Sequence, residues 1–369
     1  MRKIIVFLPI ALLLINACSR PRLSSDIGQV WSVEKANEWQ EETGWLCGCN
    51  FLPSSAVNAL EMWQEETFDP ETIDRELGYA EDLGFNIMRV WLSSLTWKSD
   101  PEAFKARLEE YLDISWKHGI GTMIVFFCDC FNPNSKTGPQ PEPLPGIHNS
   151  QWVQDPSCDL RTDTTTLYPW LEEYVKDIIF TYKDDPRILV WDLYNEPGQT
   201  AEDLSLPLVR NVFKWAREIN PSQPITSGMN KYNATRGPRA HKLNLFLVNN
   251  SDVITYHNYN GPADQGVVMN LLKLFGRPVI CTEWMARHYD SKFQNILPML
   301  KSENVGSISW GLVAGRTNTH FPRPYERYRD EIPADGSEPA LWFHDILRID
   351  GTPFDQVEID TIKAINSRK

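Results

Sequence analysis

The tripeptide Asn195-Glu196-Pro197 ends the apolar run 188–194, Ile-Leu-Val-Trp-Asp-Leu-Tyr. Such residues favour an extended strand, and the proline after the glutamate stops it. A carboxylate is therefore expected at the C-terminal end of a buried strand. A second one, Glu283, follows the run 278–282, Pro-Val-Ile-Cys-Thr, and precedes Trp284. Two carboxyl groups brought together from distant strand ends suit the cleavage of a glycosidic bond. One protonates the leaving oxygen, and the other acts as nucleophile or base. The bland alternative for each is a structural strand-end glutamate.

Such a pair needs a frame. Strand-like runs near 44–51, 85–92, 120–127, 188–196, 224–229, 253–256, 278–283 and 305–312 alternate with helix-like runs. Asp69-Pro70 and Asp100-Pro101 each open a helix, with Asp as cap and Pro at the first position. Gly84, Gly119 and Gly276 close helices. Helices are also expected at 168–182, 206–219, 267–275 and 291–304, and a final pair at 341–347 and 354–365. Long irregular stretches at 132–164 and 313–336 read as functional or mobile loops. Eight strand–helix units without a composition break predict an α/β fold, a single-domain (β/α)8 TIM barrel over 44–369. No glycine-rich phosphate loop follows a strand, which argues against a dinucleotide fold.

Barrel enzymes carry their chemistry at the C-terminal strand ends. Here those ends hold Arg89 (strand two), Asn195 and Glu196 (four), His257 and Tyr259 (six), Glu283 (seven) and Trp310 (eight). In this order they resemble the family 5 glycoside hydrolases of clan A, from about residue 44 to the C-terminus. The segment Asp350-Gly351-Thr352-Pro353 is similar to the ending of bacterial relatives in that group, often labelled cellulase, β-mannanase or xylanase.

The resemblance implies a retaining β-glycosidase acting on a β-linked oligo- or polysaccharide, with Glu196 as acid/base and Glu283 as nucleophile. Arg89 would favour the ionised nucleophile, Tyr259 would hydrogen-bond it, and His257 would sit beside the acid. Asn195 would meet the substrate's 2-hydroxyl, and Trp310 would floor the cleavage point. Core packing or ion pairing is the competing role for Arg89, His257 and Trp310. Trp45, Trp91, Trp152 and Trp284 are further candidate sugar platforms. The histidine that family 5 enzymes usually carry after strand three is missing from Phe126-Phe127-Cys128-Asp129-Cys130, and Asp129 is the expected replacement. The polar loop 315–320 is a candidate sugar contact. Two readings compete: an exo-acting β-mannosidase or β-glucosidase whose third and eighth loops close one end of the groove, and a non-catalytic carbohydrate-binding lipoprotein.

The chain has 369 residues, a hydrophobic content of 42%, 14 tryptophans and a formal net charge of −13. That charge leaves no basic stripe for nucleic acid and is compatible with a neutral or cationic ligand. Residues 1–17 read as a signal peptide, with Arg2 and Lys3 before the apolar stretch 4–15. Ile15-Asn16-Ala17-Cys18 resembles a lipoprotein processing site, so Cys18 is the expected lipidation point. The protein is then expected in a bacterial cell envelope, at the outer membrane, held by its lipid alone. Residues 18–43 read as tether and lead-in. Of the other six cysteines, buried free thiols are expected, with a bridge from Cys158 to Cys128 or Cys130 as the alternative. No cofactor is expected, and no His/Asp cluster shows metal-ligand spacing.

Overall fold

The computed structural model describes residues 27–199, 205–230, 242–324 and 326–367. The expected signal peptide and Cys18 lie outside them. Eight strands form one parallel sheet: β1 (Cys47–Asn50), β2 (Ile87–Trp91), β3 (Gly121–Cys128), β4 (Ile188–Asn195), β5 (Ile225–Gly228), β6 (Ile254–His257), β7 (Val279–Glu283) and β8 (Gly306–Trp310). Their order is β5-β4-β3-β2-β1-β8-β7-β6. A single parallel bridge, Met229 to Tyr256, joins the two ends of this order. The result is a (β/α)8 barrel.

The helices in chain order are α1 (Val33–Thr43), α2 (Ala59–Trp63), α3 (Pro70–Asp82), α4 (Ser94–Ser99), α5 (Pro101–Lys117), α6 (Thr164–Tyr182), α7 (Leu206–Ile219), α8 (Lys242–Asn250), α9 (Pro262–Lys273), α10 (Phe293–Ser302) and α11 (Gln356–Asn366). Asp69 and Asp100 cap α3 and α5 by accepting from the amides of Thr72 and Ala103. Helix α6 starts earlier than its apolar stripe suggests, because Asp163 caps it at the amides of Thr165 and Thr166.

The segment 341–347 is not the expected helix. Trp342, Phe343, Ile346 and Leu347 have helix-like spacing and are all buried. They pack as a loop instead: the amides of Phe343 and His344 donate to His320 and Thr319, and those of Ile346 and Leu347 donate to Leu312. Asp345 sits in the left-handed region, at φ 56°, which a helix does not allow.

The barrel's lower interior is filled by one layer of Leu46, Ile87, Met123, Val190, Val253, Ile280 and Ile308. Burying each such side chain is worth about 1.5–3 kcal/mol. Trp39 of α1 packs against this layer. The amide of Trp31 donates to Asp252 at 2.7 Å. Residues 27–43 therefore belong to the barrel's packing, at the end away from the strand C-termini. Above the apolar layer the interior turns polar, and the site begins there.

All six described cysteines are free thiols; Cys158 is exposed and the other five are buried. The alternative bridge from Cys158 is not formed. Among the described residues, no helix is long and apolar enough to cross a membrane.

Candidate active site

Glu283 ends β7, and Glu196 lies one residue beyond β4. The backbone of Glu196 turns left-handed, at φ 49°, where a strand cannot continue. One oxygen of each carboxylate and one ring nitrogen of His257 all lie within 4.8 Å of one another. His257 Nδ1 is 2.7 Å from Glu196 Oε1 and 3.3 Å from Glu283 Oε2. The Tyr259 hydroxyl donates to Glu283 Oε2 at 2.8 Å, and Arg89 Nη1 donates to Glu283 Oε1 at 3.1 Å.

Arg89 organises the floor of the site. Its guanidinium also reaches Asp192 at 2.8 Å, Asn50 at 2.8 Å and Asn195 Oδ1 at 2.7 Å. It is fully buried, and the charges of Asp192 and Glu283 keep it protonated against that burial. The β5 end is glycine for a steric reason. A Cβ on Gly228 would lie 2.8 Å from His257 Nε2 and 3.5 Å from Arg89 Nη2.

Glu196 is hydrogen-bonded from three sides among the described residues. Besides His257, the Cys130 thiol donates to its Oε2 at 3.2 Å and Gln199 Nε2 donates to the same oxygen at 2.8 Å. Burial pushes its pKa up, but the hydrogen bonds of His257 and Cys130 and the charges of His257 and Arg323 outweigh it and hold it below the usual glutamate range. Glu283 sits above that range. Burial raises it, and Glu196 beside it adds to the rise against the charges of His257 and Arg89. This ordering is opposite to the needs of a Glu196 acid. Donor chemistry separates the two carboxyl groups. Arg89 holds Glu283 with a donor that cannot accept, which fits a carboxylate. His257 Nδ1 can accept from Glu196 as readily as donate, which fits a carboxyl group that gains and loses its proton.

Glu196, His257 and Glu283 are also the group of described residues best placed to span a cation. The Arg89 guanidinium already meets one Glu283 oxygen, so the set fits a hydrogen-bonded pair better than a metal cage.

A cavity of about 240 Å³ opens above the pair. Asn195, Glu196, Tyr259, Glu283 and Trp310 line it, as the sequence implies, and Arg89 and His257 lie under it. Asn195 Nδ2 is turned towards the sulfurs of Cys128 and Cys130, at 3.3 and 3.2 Å. Trp152 also lines the cavity, while Trp91 is buried edge-on against Trp152 and Trp310. Trp45 and Trp284 are not sugar platforms. Trp45 lies before β1 and donates to Val305, and Trp284 is fully buried and donates to Ser307.

Asp129 does not replace the missing histidine. It is fully buried, pairs with Arg161 at 2.7 Å, and accepts from the Tyr194 hydroxyl and the Gly198 amide. It thus braces the turn after Glu196 instead of facing substrate. Cys130, two residues past β3, lies beside Glu196 instead. The loop 315–320 lies against the β3 loop, and Gly315, Arg316, Asn318 and His320 line a separate surface groove. Sequence reasoning missed Cys130, His148, Asn149, Gln199, Arg323 and His344, all on the cavity wall. Only Cys130 had a signal, two residues past a strand end. Burial drives His148 down to about 3 and His344 well below its ordinary value, so both are neutral imidazoles.

A barrel with two buried glutamates converging on one cavity has the arrangement that a glycoside hydrolase requires. The model of the family Cellulase (glycosyl hydrolase family 5) matches residues 48–315, and the chain belongs to that family. None of the curated proteins matches it in sequence. Solved structures similar in fold include a GH5_18 variant from Bifidobacterium longum subsp. longum in complex with Manb1-4GlcNAc, with a TM-score of 0.59, 14% identity, and coverage of 88% of this chain and 78% of that one. An exo-beta-1,4-mannosidase from Opitutaceae bacterium strain TAV5 has a TM-score of 0.57 and 19% identity, over 88% of this chain and 60% of that one. The hyperthermostable endo-1,4-beta-D-mannanase from Thermotoga petrophila has a TM-score of 0.57 and 14% identity, over 88% and 99%.

Proposed function

We propose that this glycosidase cleaves β-linked saccharides with retention, using Glu283 as nucleophile and Glu196 as acid/base. The observation that carries the reading is the approach of the two carboxylates, oxygen to oxygen within 4.8 Å. Retaining enzymes hold the pair about 5–5.5 Å apart, whereas inverting ones need ~6.5–9.5 Å to admit water. Glu196 protonates the glycosidic oxygen as a Glu283 oxygen bonds to the anomeric carbon and the carbon–oxygen bond to the leaving group breaks. Glu196 then takes a proton from water, which attacks the same carbon and frees Glu283. Tyr259 and Arg89 orient Glu283, and Trp310 offers an apolar face to the sugar. Gluco- and manno-configured β-glycosides are the substrates to test first, since the similar structures include proteins named for mannosides.

The test is Glu283→Ala on activated aryl β-glycosides. Turnover should vanish, and azide should restore it as the α-glycosyl azide. Activity that survives the substitution removes Glu283 as nucleophile.

Lipidation at Cys18 and residence in a bacterial cell envelope remain part of the proposal, supported by Arg2, Lys3 and the apolar stretch 4–15. Cys18→Ser should move the protein from the membrane fraction to the soluble one. Unchanged fractionation rejects the anchor.

A further inference from the structure

The rim of the barrel is stitched shut over β3, β2, β1 and β8. The β3 loop and the segment after β8 join at four points. The Asn149 amide donates to Thr317 at 2.8 Å, and Asn318 Nδ2 donates to Leu144 at 3.0 Å. His148 Nδ1 meets the Phe321 carbonyl at 2.9 Å, and Arg316 pairs with Glu142 at 3.0 Å. The loop after β1 closes the arc below them. Asn58 Nδ2 donates to Gln151 at 2.9 Å, the Gly138 amide donates to Gln64 at 2.6 Å, and the Arg316 amide donates to Ser54 at 3.1 Å.

This wall faces the catalytic pair. The acid sits at β4, so the leaving group lies on the side of β4, β5 and β6. The non-reducing end of the sugar held over Glu283 then points towards the stitched arc. The cavity is small, about 240 Å³, against ~300–1,000 Å³ for ordinary ligand sites. His148, Asn149 and Trp152 of the β3 loop line the cavity beside Glu196 and Glu283, so this wall bounds the space over the pair.

We infer that the enzyme is exo-acting, with a blind pocket for one terminal sugar. The inference rests on the glycosidase reading above. Among the described residues, this wall stands where a longer chain would continue past the terminal ring.

The experiment uses β-1,4-linked gluco- and manno-hexaoses labelled at the reducing end, alongside aryl β-glycosides. Monosaccharide release and labelled products that shorten one unit at a time support the inference. Early labelled products of mid length, or release of disaccharide, overturn it while leaving the glycosidase reading intact. Failure to cleave any β-glycoside instead overturns the reading beneath.

Discussion

The thiol of Cys130 donates to Oε2 of Glu196 at 3.2 Å, inside the cavity above the two glutamates. A donor to the ionised form lowers a carboxyl pKa, so removing it raises that pKa. In Cys130→Ala the acid should therefore stay protonated to higher pH. The alkaline limb of kcat/KM should move up by about half to one unit, as one modest hydrogen bond predicts. Cys130→Ser retains a donor and should stay near the parent. A profile that does not move in the alanine variant removes the thiol from the tuning of Glu196.

Arg89 should not tolerate lysine. Its guanidinium holds Asn50, Asp192, Asn195 and Glu283 together in the buried floor. An ammonium cannot span these partners in the same plane. Arg89→Lys is expected to reduce kcat by about 100-fold or more and to destabilise the fold by a few kcal/mol, since a buried carboxylate loses its partner. Parallel kinetics and thermal unfolding check both. An intact kcat would show that the guanidinium is structural only.

Asp129 should act through position. It fixes the Gly198 amide at 2.8 Å and the Tyr194 hydroxyl at 2.7 Å, on either side of Glu196. Asp129→Asn is expected to lower kcat about tenfold or more, with a smaller change in KM, because the acid is displaced while the sugar wall stays. A rise in KM at constant kcat would point to substrate contact instead.

Stability should fall as pH rises from about 4 to 7. Burial pushes Glu76, Asp155 and Asp345 to about 7 each. An acid with a folded pKa above its unfolded value of about 4 binds its proton more tightly when folded. Its full stabilising effect, relative to the ionised state, is present below the unfolded pKa and is lost as pH climbs through the folded one. Asp345→Asn keeps an acceptor for the Thr319 hydroxyl and has no proton to lose. Its melting temperature should change less between pH 4.5 and 7.5 than that of the parent. Identical slopes would remove Asp345 from the effect.

Much of this site could be read from the chain because it lies at strand ends. Arg89, Asn195, Glu196, His257, Tyr259, Glu283 and Trp310 follow runs whose composition marks the strands, and a parallel barrel gathers such ends at one mouth. The wall residues had no comparable mark. His148, Asn149, Arg323 and His344 lie on loops, where position depends on distant partners such as Phe321 and Met285. Asp129 misled for a related reason: one residue past β3, a carboxylate turns either into the cavity or into the layer behind it. Arg161 and the Gly198 amide decide between them, and neither is visible as a partner in sequence. The helix expected at 341–347 failed because buried loop residues repeated a helical spacing by packing alone.

The stitched rim also bears on the order of events in a turnover. A terminal sugar seated against a closed wall can leave only by the route it entered, and the aglycone occupies that route first. The aglycone must therefore depart while the sugar is still esterified, and the freed monosaccharide is the last product out. Product inhibition follows from that sequence: the monosaccharide competes directly with fresh substrate for the unoccupied enzyme, while an added alcohol intercepts the ester and diverts turnover to transglycosylation.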